Sequence, residues 1–426
     1  MAVTLLHATG GEGTSARRCR ATGNRRRLVA FTCLLLANTP LFAIQREPCP
    51  PAPPVPVRLL YPELQLEAAQ VRSHVEFLAS PELMGRGARG KELAREYILR
   101  QFQQAGLQPL FGESFLQRIP DWRHIDDERP VIVGANLGAY IPASDPNLRE
   151  EWIILSAHYD HLGMREGVIY PGADDNATGV AMLLEVARAI AASPQRPSRN
   201  IAFVAFDFEE RLLWGSRWFV SHPPCELEQI RFFLTADMLG RSLGNLPMRS
   251  VFVIGSEHAP ELRTTVDACN PTSRLELALL GADMVGTRSD YGPFRDQEIP
   301  FLFFSTGEHP DYHTPRDTPD RVDYDKLADV STLIGRLTLQ LSRLEQVPQW
   351  HWRDPRDLID AQTMHRVTGV LLQADETGEF PLGSVHRVFV SQLHAKTGYA
   401  VRQGRISYDE RTWLIRAAQI LLFTVF

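Results

Sequence analysis

Five short stretches of this chain carry the residue types that bind divalent metal ions. His158 and Asp160 follow the apolar run Ile153 to Ser156, and Asp174 and Asp175 precede the apolar segment that begins at Val180. Glu209 and Glu210 follow IAFVAFDF, Asp237 ends FFLTAD, and His313 lies in the loop TGEHPDYHTPRDTP. Imidazole and carboxylate are zinc ligands, and a catalytic site leaves one coordination position for water. A single acidic residue at a strand end is ordinary, because strand ends are wet and turn-rich. Five clusters on one chain make a metal centre the better reading, with Trp152 to Gly179 as half of it.

The elements that must position these side chains alternate between two periods. Ile153 to Ser156, Ile201 to Asp207, Phe232 to Asp237, Val251 to Ile254 and Phe301 to Ser305 read as strands. Helical spacing appears in LEAAQVRSHVEFLA from Leu66, in Lys91 to Ala105, in Val180 to Ala191 and in Asp325 to Leu344. Such alternation predicts an α/β fold, with a mixed, mostly parallel central sheet and helices on both faces. Open sheets of this kind bind ligands at the carboxyl ends of their strands, which is where the carboxylates and imidazoles fall. Gly85-Arg-Gly-Ala-Arg-Gly90-Lys91-Glu92 imitates a phosphate-binding loop, but Glu92 stands where a Mg²⁺-binding hydroxyl belongs and no apolar strand precedes it. A Gly-rich loop entering a helix is the reading kept.

His-x-Asp at 158–160, Gly-Ala-Asp-Asp-Asn-Ala-Thr-Gly at 172–179, Glu-Glu-Arg-Leu-Leu-Trp-Gly-Ser at 209–216, Asp237, and Tyr-His-Thr-Pro-x-Asp-Thr-Pro at 312–319 occur in that order. Together they closely resemble the M28 family of zinc exopeptidases, from about Val71 to Leu344. The resemblance implies a zinc-exopeptidase, phosphorylase/hydrolase-like fold and a site for two Zn²⁺. It places His158 and Asp237 on one ion and Glu210 and His313 on the other, with Asp174 bridging. It makes Glu209 the general base, Asp160 the carboxylate that orients His158, and Tyr312 an oxyanion-stabilising hydroxyl. Glu209 and Glu210 would face opposite ways in an extended strand, so serving one site requires irregular backbone just after Phe208.

Thr287 to Phe294 resembles the family's Ser-Asp-His-x-x-Phe element with Tyr291 in place of His, and Arg288, Asp290, Tyr291 and Phe294 are substrate-pocket candidates. His161 is read as a solvated or pocket-rim histidine, with a ligand role as the rival, and His258 and His309 as surface histidines. Asp175, Asn176 and Thr178 suit the capped, positive end of a helix. Asp121 to Glu150 is too short for an inserted domain of usual size.

The 426 residues, 44% hydrophobic and 23% charged, suffice for a large core. Net charge is −6, and the only basic cluster is N-terminal, which excludes nucleic acid as a partner. That cluster, Arg17 to Arg27, precedes an apolar run from Leu28 to Phe42, so residues 1–43 read as a secretory signal peptide. A twin-arginine route and an uncleaved anchor are the alternatives. Residues 1–43 hold six Arg and one Glu, so cleavage takes the charge from −6 to −11. A Pro-rich linker over 44–65, including CPPAPPVPV, leads into a catalytic domain over 66–345. Residues 346–426 are a C-terminal extension outside the resemblance, expected to dock on the main domain, with a small interaction module as the alternative. Its apolar end is too short to span a bilayer. Cys225 and Cys269 are either bridged or separate buried thiols. The expected protein is a secreted or periplasmic zinc aminopeptidase acting on peptides with a free N-terminus. A glutaminyl-cyclase-like acyltransferase and a non-catalytic receptor or scaffold are the alternatives.

Overall fold

In the central strands successive side chains enter different cores. Ile153, Leu155 and Ala157 point into one apolar cluster and Ile154 into another, while Ile201, Phe203 and Ala205 alternate in the same way with Ala202, Val204 and Phe206. A strand that is apolar on both faces must be covered on both. The computed structural model describes residues 59–121, 123, 125, 131–354 and 356–426. The expected signal segment 1–43 and the Cys49 to Val57 tether lie outside the described residues.

The strands are β1 (Gln108–Pro109), β2 (Leu116–Pro120), β3 (Ile132–Ile141), β4 (Trp152–His158), β5 (Met164–Arg165), β6 (Val168–Ile169), β7 (Asn200–Phe206), β8 (Ile230–Ala236), β9 (Ser250–Ile254), β10 (Glu276–Leu280) and β11 (Phe301–Ser305). Nine of them form one sheet in the order β1-β3-β7-β4-β8-β11-β9-β10, with β2 paired to β3. β7, β4, β8 and β11 run parallel through its centre. β3 and β9 flank that core antiparallel, and β10 runs parallel to β9. The fold is thus the expected mixed α/β sheet.

One face is covered by α1 (Ala68–Leu78), α2 (Ala88–Gln104), α3 (Gly179–Ala192) and the later α8 (Tyr324–Arg343). The Asp323 carboxylate caps α8 by accepting the Lys326 N–H at 2.9 Å. Between α3 and α8 come the shorter helices α4 (Trp214–Ser221), α5 (Arg263–Cys269), α6 (Ala282–Val285) and α7 (Tyr291–Arg295). Three further helices, α9 (Ile359–Thr377), α10 (Ser384–Gln403) and α11 (Tyr408–Thr424), form from the segment after α8. Their apolar residues Met364, Val367, Leu371, Leu414 and Leu421 join the core of the other face.

α9 also covers the sheet edge. Arg366 donates to the Leu277 carbonyl at 2.9 Å and the Thr363 hydroxyl to the Leu279 carbonyl at 2.7 Å, while Asp360 accepts the Gly281 N–H at 2.8 Å. Cys225 and Cys269 are separate free thiols, and burial pushes each up to about 12. No helix of the described residues is long and apolar enough to cross a membrane.

Candidate metal centre

Five chain segments converge near the carboxyl ends of the parallel strands, one of them the Asp174–Asp175 segment ahead of α3. β4 ends at His158, β7 runs into Glu209 and Glu210, β8 leads to Asp237, and the loop after β11 brings His313. Irregular backbone separates the two glutamates as expected: Phe208 has φ +57°, a left-handed conformation that costs a bulky residue energy. Lys91 stabilises that turn. Its ammonium lies 2.8 Å from the buried Asp207 carboxylate and 3.6 Å above the Phe208 ring.

The donors form two sets sharing one residue, and that residue is Asp175. His158, Asp175 and Asp237 make one set, and His161, Asp175, Glu210 and His313 the other, with donor atoms within 4.8 Å of one another in each. Asp175 Oδ1 lies 3.4 Å from His158 Nε2, and Asp175 Oδ2 lies 3.1 Å from His313 Nε2. His158 Nε2 is 3.3 Å from Asp237 Oδ1, and His313 Nε2 is 3.3 Å from Glu210 Oε2. His158 Nε2, Asp175 Oδ2, Asp237 Oδ1 and Glu210 Oε1 are buried without a hydrogen-bond partner. Buried polar atoms are normally satisfied. A converging set of orphaned imidazole and carboxylate atoms fits metal ions.

Asp174, expected to bridge, instead turns away from both sets. Its Oδ1 accepts the Gly240 N–H at 2.6 Å and the Thr178 hydroxyl at 3.2 Å, and its Oδ2 faces His309 Nε2 at 3.4 Å. The reason is the backbone between Gly172 and α3: Asp175 is extended, at φ −104° and ψ 94°, so adjacent carboxylates diverge. His309 is accordingly buried rather than superficial. His161 is also buried, not at the rim, with Nδ1 2.9 Å from Glu210 Oε1 and 3.6 Å from Asp175 Oδ2. His258 stacks on Trp350 at 3.8 Å.

Other motif residues hold this backbone in place. Asp317 accepts the N–H groups of Asp174 and Asp175 at 2.9 and 3.1 Å. Asn176 donates to the Ala236 carbonyl at 2.9 Å, tying the segment to β8. His158 Nδ1 donates to the Asp160 carbonyl oxygen at 3.2 Å, which leaves Nε2 for a ligand. The Asp160 carboxylate is 3.8 Å from that ring and accepts the Glu209 N–H at 3.0 Å, which ties the backbone of Glu209 to the end of β4.

Arg86, from the phosphate-loop imitation, was not foreseen as part of the site. Its fully buried guanidinium donates five hydrogen bonds, to the carbonyls of Tyr159, Leu78, Pro171, Gly172 and Asp175, at 2.7 to 3.1 Å. Gly85, at φ +67°, lets the loop in, because a Cβ there would lie 2.2 Å from the Tyr170 carbonyl oxygen. No motif signals this: an arginine among glycines reads as a phosphate ligand or a solvated loop.

Surplus negative charge dominates the electrostatics. Burial disfavours the His313 proton, but the Asp175 and Glu210 carboxylates beside the ring carry its pKa up to about 10. Burial likewise opposes the charge on His158, yet Asp237 and Glu209 hold its pKa well above the ordinary value. Burial pushes the Glu209 carboxyl well above its usual range, and Asp237 and Asp290 add to this against His158.

The substrate candidates divide. Arg288 lines a cavity beside Asp237 and Tyr312 and pairs with Glu308 at 2.9 Å. Asp290 is buried behind Asp237, and burial pushes its carboxyl up to about 6. Tyr291 and Phe294 are core residues rather than pocket residues: Tyr291 stacks on Phe301 and Phe303 at 5.0 and 5.1 Å, and Phe294 on Phe233 at 3.6 Å. α7 turns its aromatic side toward the sheet, and the Tyr291 hydroxyl is held by the Gly286 carbonyl.

Residues 136–338 match the family model of Peptidase family M28. Aminopeptidase YwaD of Bacillus subtilis (strain 168) is 28% identical over 213 residues, 46% of this chain and 42% of the relative, so the chain spans less than half that relative's length. Among solved structures, LapA aminopeptidase of Legionella pneumophila superposes with a TM-score of 0.51 at 19% identity, over 66% of this chain and 73% of that one. Glutaminyl cyclase of Porphyromonas gingivalis superposes with a TM-score of 0.50 at 19% identity, over 64% and 98%. At these identities the superpositions speak for the fold alone. All donors of both sets fall inside residues 136–338, the span that matches the model of Peptidase family M28.

Proposed function

We propose that this protein is a secreted or periplasmic aminopeptidase with two zinc ions, removing single residues from peptides that have a free N-terminus. The observation that carries the reading is the Asp175 carboxylate, whose oxygens lie 3.4 Å from His158 Nε2 and 3.1 Å from His313 Nε2, between two sets of imidazole and carboxylate groups. His158, Asp237 and Asp175 would hold one ion, and Glu210, His313 and Asp175 the other, with His161 packed against the second set's carboxylates. When bound, such ions lower the pKa of water to about 7 and polarise a carbonyl.

Glu209 is the proton carrier. Its half-buried carboxylate takes the proton of the attacking water as the carbon–oxygen bond forms, and returns it to the leaving amine nitrogen as the carbon–nitrogen bond breaks. Tyr312, stacked on His313 at 3.9 Å, has its hydroxyl pKa raised by burial and then by Asp175 and Asp237. It stays protonated and donates to the developing oxyanion. Export is supported by the Arg-rich start and the apolar run Leu28 to Phe42. A single-ion acyltransferase shares the fold but gives no task to one of the two donor sets.

The test is a panel of aminoacyl-aminocoumarins, free and N-blocked, before and after chelation and zinc add-back. Chelator-sensitive cleavage of only the free-amine substrates, with two zinc ions per chain, is expected. Cleavage of blocked substrates, or cyclisation of N-terminal glutamine by protein with one zinc, would overturn the proposal.

A further inference from the structure

The cavity that opens beside Asp237 and Tyr312 runs away from the donor sets into an apolar space between the sheet and the C-terminal helices. Phe252, Ile254, Leu280, Met284 and Phe303 form the wall on the sheet side. The opposite wall comes from outside residues 136–338: Met364 and Val367 of α9, Ala418, Leu421 and Leu422 of α11, and Phe426. The charges at the rim are already partnered. Arg288 pairs with Glu308 at 2.9 Å, and its guanidinium lies 5.1 Å from the centre of the Phe423 ring. Beyond Asp237, a member of one donor set that stands at its mouth, the space therefore presents no free charge to a ligand.

We infer that α9 and α11 complete the pocket that receives the side chain of the N-terminal residue, making Met364, Val367, Ala418 and Leu421 specificity determinants for a bulky apolar residue such as Leu, Met or Phe. This rests on the aminopeptidase reading proposed above. A peptide whose first carbonyl reaches Asp237 and Tyr312 has its side chain at the mouth of this cavity. Burying several methylene groups there multiplies discrimination, each being worth about 10- to 200-fold. Three methionines line the space, Met238, Met284 and Met364, and thioether chains adapt to both branched and aromatic shapes.

The experiment compares leucyl-, phenylalanyl- and alanyl-aminocoumarin on the zinc-loaded full chain and on Ala418→Phe, which fills the cavity from α11. The leucyl-to-alanyl ratio of kcat/KM should fall by about 100-fold, with circular dichroism and zinc content unchanged. Leu421→Ala, which enlarges the space, should shift the phenylalanyl-to-leucyl ratio upward by about 10-fold and serves where Ala418→Phe does not fold. Binding of L-leucine amide to Glu209→Gln protein, read by calorimetry, gives a second measure and should be lost in the double variant with Ala418→Phe. Ratios unmoved in both variants, or a wild-type preference for small or charged residues, would overturn the inference while leaving the aminopeptidase standing. Leucine amide binding that depends on Ala418, without any hydrolysis by wild type, would overturn the aminopeptidase and leave the pocket assignment.

Discussion

Replacing Arg86 by lysine keeps the charge and removes the fork. All five guanidinium N–H groups are used, on five backbone carbonyls drawn from the end of α1, from Tyr159, and from the Pro171 to Asp175 segment. Lysine has three donors on a single nitrogen, so at least two of those buried carbonyls lose their partner. A hydrogen bond to a charged group contributes about 1.5–3 kcal/mol. Two such losses, eased by some relaxation, put the cost of Arg86→Lys at about 3 kcal/mol, a large share of the roughly 5–15 kcal/mol by which domains are stable. Urea unfolding of the chelated protein should show a lower midpoint at unchanged slope. Because Gly172 and Asp175 are among the released carbonyls, zinc affinity should also fall by about 10-fold, as when other groups that orient metal ligands are removed. A midpoint shift worth less than about 0.5 kcal/mol, with zinc affinity intact, would refute the clamp.

Three further expectations follow from the site and the core. Glu209→Gln should keep its zinc, measured by elemental analysis, and lose about 10²- to 10⁴-fold in kcat. Asp175→Asn should strip both ions, whereas Asp174→Asn should weaken zinc binding by about 10-fold at most; equal zinc loss in the two variants would contradict the bridging geometry. Glu257 tests the electrostatics away from the site. Burial raises its carboxyl to about 7 from an ordinary 4.5. The folded chain keeps a proton there that the unfolded chain releases, so stability from this group is full below about pH 4.5 and is lost as pH rises through 7. Glu257→Gln should therefore gain melting temperature relative to wild type between pH 5 and 8, and a constant difference across that range would count against the shift.

The strands were legible because β4, β7, β8 and β11 are apolar on both faces and bounded by turns, and the metal-binding character because each ends in or leads into a segment that carries an imidazole or carboxylate. What escaped was direction. Asp174 and Asp175 are the same residue type, side by side, and only the extended backbone at Asp175 decides which carboxylate faces the donors. Tyr291 and Phe294 share that difficulty, since a short stretch of loop sequence does not show that α7 turns its aromatic side inward. Arg86 was hidden for a different reason: its partners are carbonyls, which carry no residue identity. The C-terminal helices were obscured by α11, where Trp413, Leu414, Ile415 and Ile420 to Phe423 put apolar residues all around the helix and blur the periodicity.

The covering of β10 by α9 bears on how this protein can be dissected. β10 is the last strand of the sheet, and Arg366 and Thr363 occupy the outward carbonyls that another strand would seek. A chain cut after Leu344 would bare that edge together with Phe252, Ile254 and Leu280, presenting an unguarded template for strand addition. Such a fragment is expected to self-associate, because the cover for that edge is carried on the same chain, after Leu344.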